Sequence, residues 1–382
     1  MLGNKPAQSR VPASTNQEGF RVSDATPIPM PARGTRRWLA DAAPVAGSFL
    51  VRSATLARPV ARIHRISAAL AAPHPALWGL AVAVALLDAV WLRRSGITLA
   101  PFGFGVAAAL VAALLALAVL FGPVLSEPKL RAMALASACL IAVTVPIAVL
   151  HYLTATWALP LADARLARAE AALGFDWPAY LAALQAQPRL AWWLALAYHT
   201  SGPQVGLTVI VLGATLRVGR LWAYVRLFAV LLLAVVLAAA LVPAAGPFVH
   251  YGLGTVPDGS IETLGALWHL DALEHLRAGT LRTLALEDIR GLVTFPSFHV
   301  CLAVLTAWAL APVRVLGPLV IALNAVIVVA TLGAGGHYLP DLLAGFALSV
   351  TVIGGRAALR GRRTHAPGLR PEPAPHGSRC PG

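Results

Sequence analysis

Phe295-Pro296-Ser297-Phe298-His299 opens one apolar run of this chain, and Gly335-Gly336-His337-Tyr338-Leu339-Pro340-Asp341 opens another, with thirty-eight residues separating the two histidines. From His299 the sequence runs uncharged to Pro312, turns at Pro312-Val313-Arg314 and continues through Val315–Leu332 to Gly333. A helix rises about 1.5 Å per residue, so two spans of roughly 15–20 residues cross a bilayer out and back. The spacing therefore returns His337 to the membrane face on which His299 began. Both histidines start helices that run in the same direction, and two helix amino-termini with unpaired N–H groups facing one pocket suit an anion.

The rest of the composition supports a membrane setting. The 382 residues are 58% hydrophobic and 12% charged, with a mean hydropathy of +0.73, against roughly 45–50% apolar residues in an average soluble domain. The expected fold is an all-α polytopic membrane protein of about eight transmembrane helices, six of them forming the core. Apolar runs stand at Ala76–Leu92, Leu99–Gly122, Ala132–Leu153, Trp192–Leu216, Trp222–Val242, His299–Pro312, Val315–Leu332 and Tyr338–Ile353. The sixth is short and must borrow from its flanks. The formal charge of +14 sits in tails and short loops and is not interleaved with aromatics, which argues against a nucleic-acid partner. Cys139 and Cys301 lie inside apolar runs and Cys380 in the tail, so there is neither a disulfide framework nor metal-ligand spacing. Chemistry without a metal or other cofactor is expected. Cys380 is third from the end, where prenylation requires the fourth.

Residues 1–75 read as a disordered basic cytoplasmic tail without an apolar signal segment, with an amphipathic surface helix as one reading of Trp38–Leu70. Residues 76–131 add two transmembrane helices, 132–356 carry the remaining six together with both histidine clusters, and 357–382 read as a second disordered tail. Arg356, Arg360, Arg362 and Arg363, then Arg314, then Arg217, Arg220 and Arg226, then Lys129 and Arg131 all fall on one side under an eight-span count. That side is expected to be the cytoplasm, with both termini there and the histidines on the extracytoplasmic face of an inner membrane. Arg93 and Arg94 fall on the opposite side. Also on the outer face, Asp163–Arg189 suits a helix lying in the interface, and the loop from Pro243 to Pro296 suits either a lid or an ordinary cap.

Local chemistry sharpens the two clusters. Ser297, after Pro296, is a favoured helix cap, Gly335 and Gly336 permit close backbone approach, and Pro340 belongs to the first turn of the last helix. His337 and Asp341 are four apart, so Asp341 can accept from one ring nitrogen and leave the other as a nucleophile. Leu339 precedes a proline and is biased away from helix, so a turn can supply the same pairing. The remaining His151, His199, His250, His269 and His275 read as interface residues.

Phe295–His299 resembles the second signature of the phosphatidic acid phosphatase type 2 superfamily, in the Pro-Ser-x-His form of its inositol phosphorylceramide synthase branch, and Gly336–Gly345 resembles the third signature. Leu173-Gly174-Phe175-Asp176-Trp177 is also similar to bacterial members. The resemblance implies that His337 attacks phosphorus to give a phosphohistidine, that Asp341 orients it, that His299 protonates the leaving oxygen and that Ser297 helps to hold phosphate, beside Gly336. The first signature, a Lys followed by Arg-Pro, is missing, and the arginine usual six residues before the third-signature histidine is Thr331 here. Phosphoryl transfer needs a cationic clamp, and Arg290 is the candidate, with Arg282 and Arg277 behind it. The implied activity is a phosphatase or inositolphosphotransferase-type phosphotransferase on a lipid or polyprenyl phosphate, finished by water or by a polyol or other alcohol acceptor. The alternative is a non-catalytic transporter or scaffold that retains the fold.

Overall fold

In hydrocarbon a single segment can satisfy its own backbone groups only as a helix, and the eight apolar runs are predominantly helical. The computed structural model of the protein describes residues 75–253, 267, 269–292 and 294–364, with side chains as far as 359. The readings of the amino-terminal tail, including Trp38–Leu70, and of residues 365–382 lie outside the described residues.

The chain begins with α1 (Pro75–Ser95), α2 (Pro101–Val119, extended by a π turn over Leu120–Val124) and α3 (Pro128–Ala155). Two short helices, α4 (Asp163–Ala172) and α5 (Trp177–Gln185), then lead to α6 (Pro188–His199), α7 (Ser201–Ala214) and α8 (Val218–Leu241). The loop that follows contains α9 (Pro247–His250), α10 (Leu270–Arg277) and a 3-10 turn at Leu286–Asp288. The chain closes with α11 (Phe298–Leu310), α12 (Leu316–Gly333) and α13 (Leu339–Thr364). Six of these helices are long and apolar enough to cross a membrane, namely α1, α2 with its π turn, α3, α8, α12 and α13 as far as Leu359, while α7 and α11 are shorter. The protein is an all-α, multi-pass membrane protein.

α3 is the centre of one half, contacting α1, α2, α7 and α8, and α11 is the centre of the other, contacting α7, α8, α12 and α13. Leu135, Cys139, Val143 and Ile147 form a four-residue-spaced stripe of α3 that packs with Leu221, Val225 and Leu231 of α8 and with Cys301 and Leu305 of α11. Small residues let the backbones approach, as expected where lipid removes the hydrophobic drive for helix pairing. A Cβ added at Gly345 of α13 would stand 2.5 Å from the Ser297 carbonyl oxygen at the start of α11.

Three details differ from the sequence reading. The fourth run is two helices broken at Thr200, because Pro203 lacks an N–H and clashes with a carbonyl one turn back. The side chains of Thr200 and Ser201 donate to the carbonyls of Ala197 and Tyr198 there. The carboxyl-terminal tail does not start at 357, since Ala and Arg are good helix formers and α13 runs on to Thr364. A two-residue parallel pair also joins β1 (Thr98–Leu99) to β2 (Thr283–Leu284), tying the turn after α1 to the long loop.

One group of arginines gathers at the carboxyl end of α11. Arg217 donates to the Pro312 carbonyl at 3.1 Å and Arg220 to that of Ala309 at 2.7 Å, capping the carboxyl end of α11, and Arg220 and Arg356 both stand over the Trp308 ring. This is the end of α11 opposite to His299.

Candidate active site

Ser297 has extended backbone geometry and caps α11. Its Oγ accepts from the Val300 N–H at 3.4 Å, and its own N–H donates to the Asp341 carbonyl at 3.1 Å. The starts of α11 and α13 are thus bonded to each other. Gly336, at φ +60°, makes the turn that brings the chain from α12 to His337. What the glycine pair accommodates is protein: a Cβ on Gly335 would stand 2.6 Å from the Thr331 carbonyl oxygen and 2.8 Å from Cδ2 of His337.

The His337–Asp341 pairing comes from a turn. His337 and Tyr338 precede α13, and Oδ2 of Asp341 accepts from the Tyr338 N–H at 3.0 Å while its backbone N–H donates to the Tyr338 carbonyl at 3.0 Å. A carboxylate at the third helical position reaching back to the preceding N–H is half of a capping box. The same Oδ2 lies 3.2 Å from Nδ1 of His337, and Nε2 of His337 lies 3.3 Å from Oγ of Ser297. One proton assignment satisfies all of these contacts. Nδ1–H donates to Asp341, the Ser297 hydroxyl donates to Nε2, and Ser297 Oγ accepts from Val300. The lone pair of Nε2 is then held in place. Asp341 and Ser297 are fully buried and His337 is 6% exposed.

His299, one residue into α11, bonds through Nδ1 to the Tyr198 hydroxyl at 3.1 Å, with the ring centroids 4.4 Å apart. Tyr198 is the penultimate residue of α6, next to the helix break, so the proline-induced break places it. His299 and His337 line one cavity of about 480 Å³, together with Tyr198, His199, His269 and Arg290. Gly335 belongs to its wall, whereas Gly336 and Ser297 do not, Ser297 being bonded to His337. Arg290 is held by its backbone: its N–H donates to the Tyr152 hydroxyl at 2.7 Å, and that hydroxyl donates to the Asp288 carbonyl at 2.9 Å. Arg277 faces elsewhere, donating to the Leu159 carbonyl at 2.8 Å, and Arg282 is outside this cavity wall. Thr331 is buried and bonds within its own helix, to the Ile327 carbonyl at 2.7 Å.

α4 supports the site from behind and is not only a surface helix. Its inward face carries Asp163 and Glu170, both buried. Asp163 accepts from the N–H groups of Ala245 and Gly246 at 3.0 and 2.8 Å and from the Tyr338 hydroxyl at 3.0 Å. Glu170 accepts from the Leu339 N–H at 2.8 Å, and its other oxygen is buried without a partner among the described residues. Burial foremost, with Asp341 and Asp176 nearby, pushes the Glu170 carboxyl up from 4.5 to about 7. His269 donates Nε2–H to the Ala245 carbonyl at 3.1 Å, and burial, with His337 close by, holds its imidazole below the ordinary value.

Sequence reasoning did not bring Tyr198, His199, His269, Asp163 or Glu170 to the site. The seven-residue spacing of Asp163 and Glu170, which puts both on one helix face, was the available signal for the acids. Among the described residues no group of three or more His, Cys, Asp or Glu side chains is arranged to hold a metal ion.

Fold and site together define a class, a multi-pass helical membrane protein with a buried His–Asp pair and a second histidine around one cavity. A family model described as the PAP2 superfamily matches residues 164–354, half of the chain, and includes both histidine clusters. The chain belongs to the PAP2 superfamily, whose members are generally phosphatases or phosphotransferases. No curated protein and no solved structure matches it.

Proposed function

We propose that the protein is an integral membrane phosphatase or phosphotransferase acting on a lipid or polyprenyl phosphate ester through a phosphohistidine on His337. The observation that carries this reading is the bonding of His337, Nδ1 to a buried carboxylate and Nε2 to a hydroxyl, at the edge of a cavity shared with His299 and Arg290. A neutral imidazole held in this way is a competent nucleophile. In the first step Nε2 attacks phosphorus as the bond to the leaving oxygen breaks, and protonated His299 gives that oxygen its Nε2 proton while Nδ1–H donates to Tyr198. The negative phosphate itself favours the imidazolium. In the second step water or an alcohol attacks phosphorus, the P–N bond breaks, and the now neutral His299 takes the proton. Asp341 holds the tautomer and offsets the charge on His337. Ser297, freed from Nε2 once the substrate is engaged, can turn its hydroxyl to a phosphate oxygen.

Arg290 supplies the clamp in place of the arginine missing at Thr331. Its position in the cavity wall favours catalysis over a transporter or scaffold role. Water completes a phosphatase cycle, and a polyol completes the inositolphosphotransferase-type cycle that Pro296-Ser297-Phe298-His299 resembles. The arginines clustered at the far end of α11 support an extracytoplasmic site in an inner membrane with cytoplasmic termini.

The test is to offer labelled lipid phosphates to the purified protein, with and without inositol, and to quench in alkali, which preserves phosphohistidine. Label on wild type and none on His337→Ala is expected. Equal label on His337→Ala, or none on wild type with any lipid phosphate, overturns the mechanism.

A further inference from the structure

Arg93 and Arg94 end α1 on the same membrane face as the histidines, against the charge bias of the other loops. Arg94 borders a second cavity, of about 670 Å³, between the end of α1, the turn after α3 and α10. One wall is apolar: Leu87 and Val90 of α1 are 48% and 51% exposed, so it is continuous with the outer surface of that helix. Trp91 and Trp157 line it as a pair with ring centroids 5.3 Å apart, the kind of residue enriched at the headgroup level of a bilayer. The rim is cationic, with Arg94 and Arg277. Arg277 is fixed there by donating from Nη1 to the Leu159 carbonyl at 2.8 Å and from Nη2 to that of Ala158 at 3.5 Å. His275, also on the rim, bonds Thr280 Oγ1 at 2.8 Å and stands 3.5 Å from the Asp271 carboxylate, which offsets any charge on that imidazole. Arg94 and Arg277 are the two fixed positive charges among the residues that line the cavity.

We propose that this cavity binds the phosphate of an anionic membrane phospholipid, with an acyl chain lying along Leu87 and Val90. Two arginines match a phosphodiester anion, the exposed leucine and valine match a chain, and the tryptophans match the boundary between the two. Such a lipid is not the one that reacts, because the site lacks a nucleophilic pair. It does lie next to the reaction cavity. Arg277 also borders a small cavity whose wall includes His151, and His151 lines the cavity of His299 and His337.

The proposal is tested on the delipidated full chain by native mass spectrometry during titration with phosphatidylglycerol, phosphatidylcholine or inorganic phosphate. One phosphatidylglycerol adduct is expected to saturate well before phosphatidylcholine. Arg94→Ala and Arg277→Ala should each weaken it about tenfold, and His337→Ala should leave it intact. Arg94 is exposed, so its variant is expected to fold, and unchanged thermal unfolding checks this. Equal binding by Arg94→Ala and wild type, loss of the adduct in His337→Ala, or equal affinity for phosphatidylcholine overturns the proposal. Displacement by millimolar inorganic phosphate as effectively as by lipid would show a free-anion site and overturn it as well. The outcome does not depend on whether His337 forms a phosphohistidine.

Discussion

Oδ2 of Asp341 holds both Nδ1 of His337, at 3.2 Å, and the backbone N–H of Tyr338, at 3.0 Å. One oxygen therefore caps a membrane helix and sets a tautomer. Asp341→Asn should separate these roles, because an amide oxygen still accepts from Tyr338 but carries no charge to offset an imidazolium. Turnover should fall by roughly 10²–10⁴, with thermal unfolding nearly unchanged. Activity within twofold of wild type would count against the orienting role.

Ser297→Ala removes the cap of Val300 and the partner of Nε2 at once. Loss of a cap costs about 1 kcal/mol, so a lowered unfolding midpoint should accompany a lower kcat. Ser297→Thr keeps the hydroxyl and should restore most of the stability. Measuring unfolding and lipid-phosphate turnover on the same preparations decides the case.

Tyr198→Phe deletes only the hydroxyl 3.1 Å from Nδ1 of His299. The ring contact remains, so folding should hold, while loss of one buried hydrogen bond should lower kcat by about tenfold, equivalent to ~1.4 kcal/mol. The pH–rate profile should move with it, which a purely structural role would not produce.

Arg290→Lys should lose nearly as much kcat/KM as Arg290→Ala, because a point charge does not reproduce a planar fork on a phosphate. A Lys variant with wild-type kinetics would argue that Arg290 only borders the cavity.

Glu170 gives a pH signature to stability. Its carboxyl is raised to about 7 in the folded chain, from an ordinary 4.5. Between those values the native state keeps a proton that the unfolded state has lost. The stabilisation is therefore full below about 4.5 and disappears as pH rises through about 7. Thermal unfolding across that window should show the decline in wild type and a flatter profile in Glu170→Gln, whose amide is neutral throughout.

The legible part of the fold was the part written in hydropathy. All eight apolar runs are predominantly helical, the fourth as two helices, and the round trip from His299 to His337 brings both to one cavity. Ser297 as a cap was legible because capping is local. The break at Thr200 was signalled by Gly202-Pro203 but hidden inside an apolar run. Tyr198 and His299 are 101 residues apart, and no local pattern reports a contact at that range. The charges of α4 suggested an interface helix because Arg165 and Arg168 face outward, and the inward acids show their purpose only when Tyr338 and Leu339 arrive.

Asp163 also sets an order of assembly. Its partners, the N–H groups of Ala245 and Gly246 and the hydroxyl of Tyr338, are synthesised after it, the last of them beyond α12. Until the final helix is threaded into the bilayer, Asp163 lacks the Tyr338 hydroxyl and Glu170 lacks the Leu339 N–H. A chain that stalls before α13 cannot close over them, so this pocket is the last part of the fold that the ribosome and the insertion machinery complete, and unsealed acids would mark every unfinished copy.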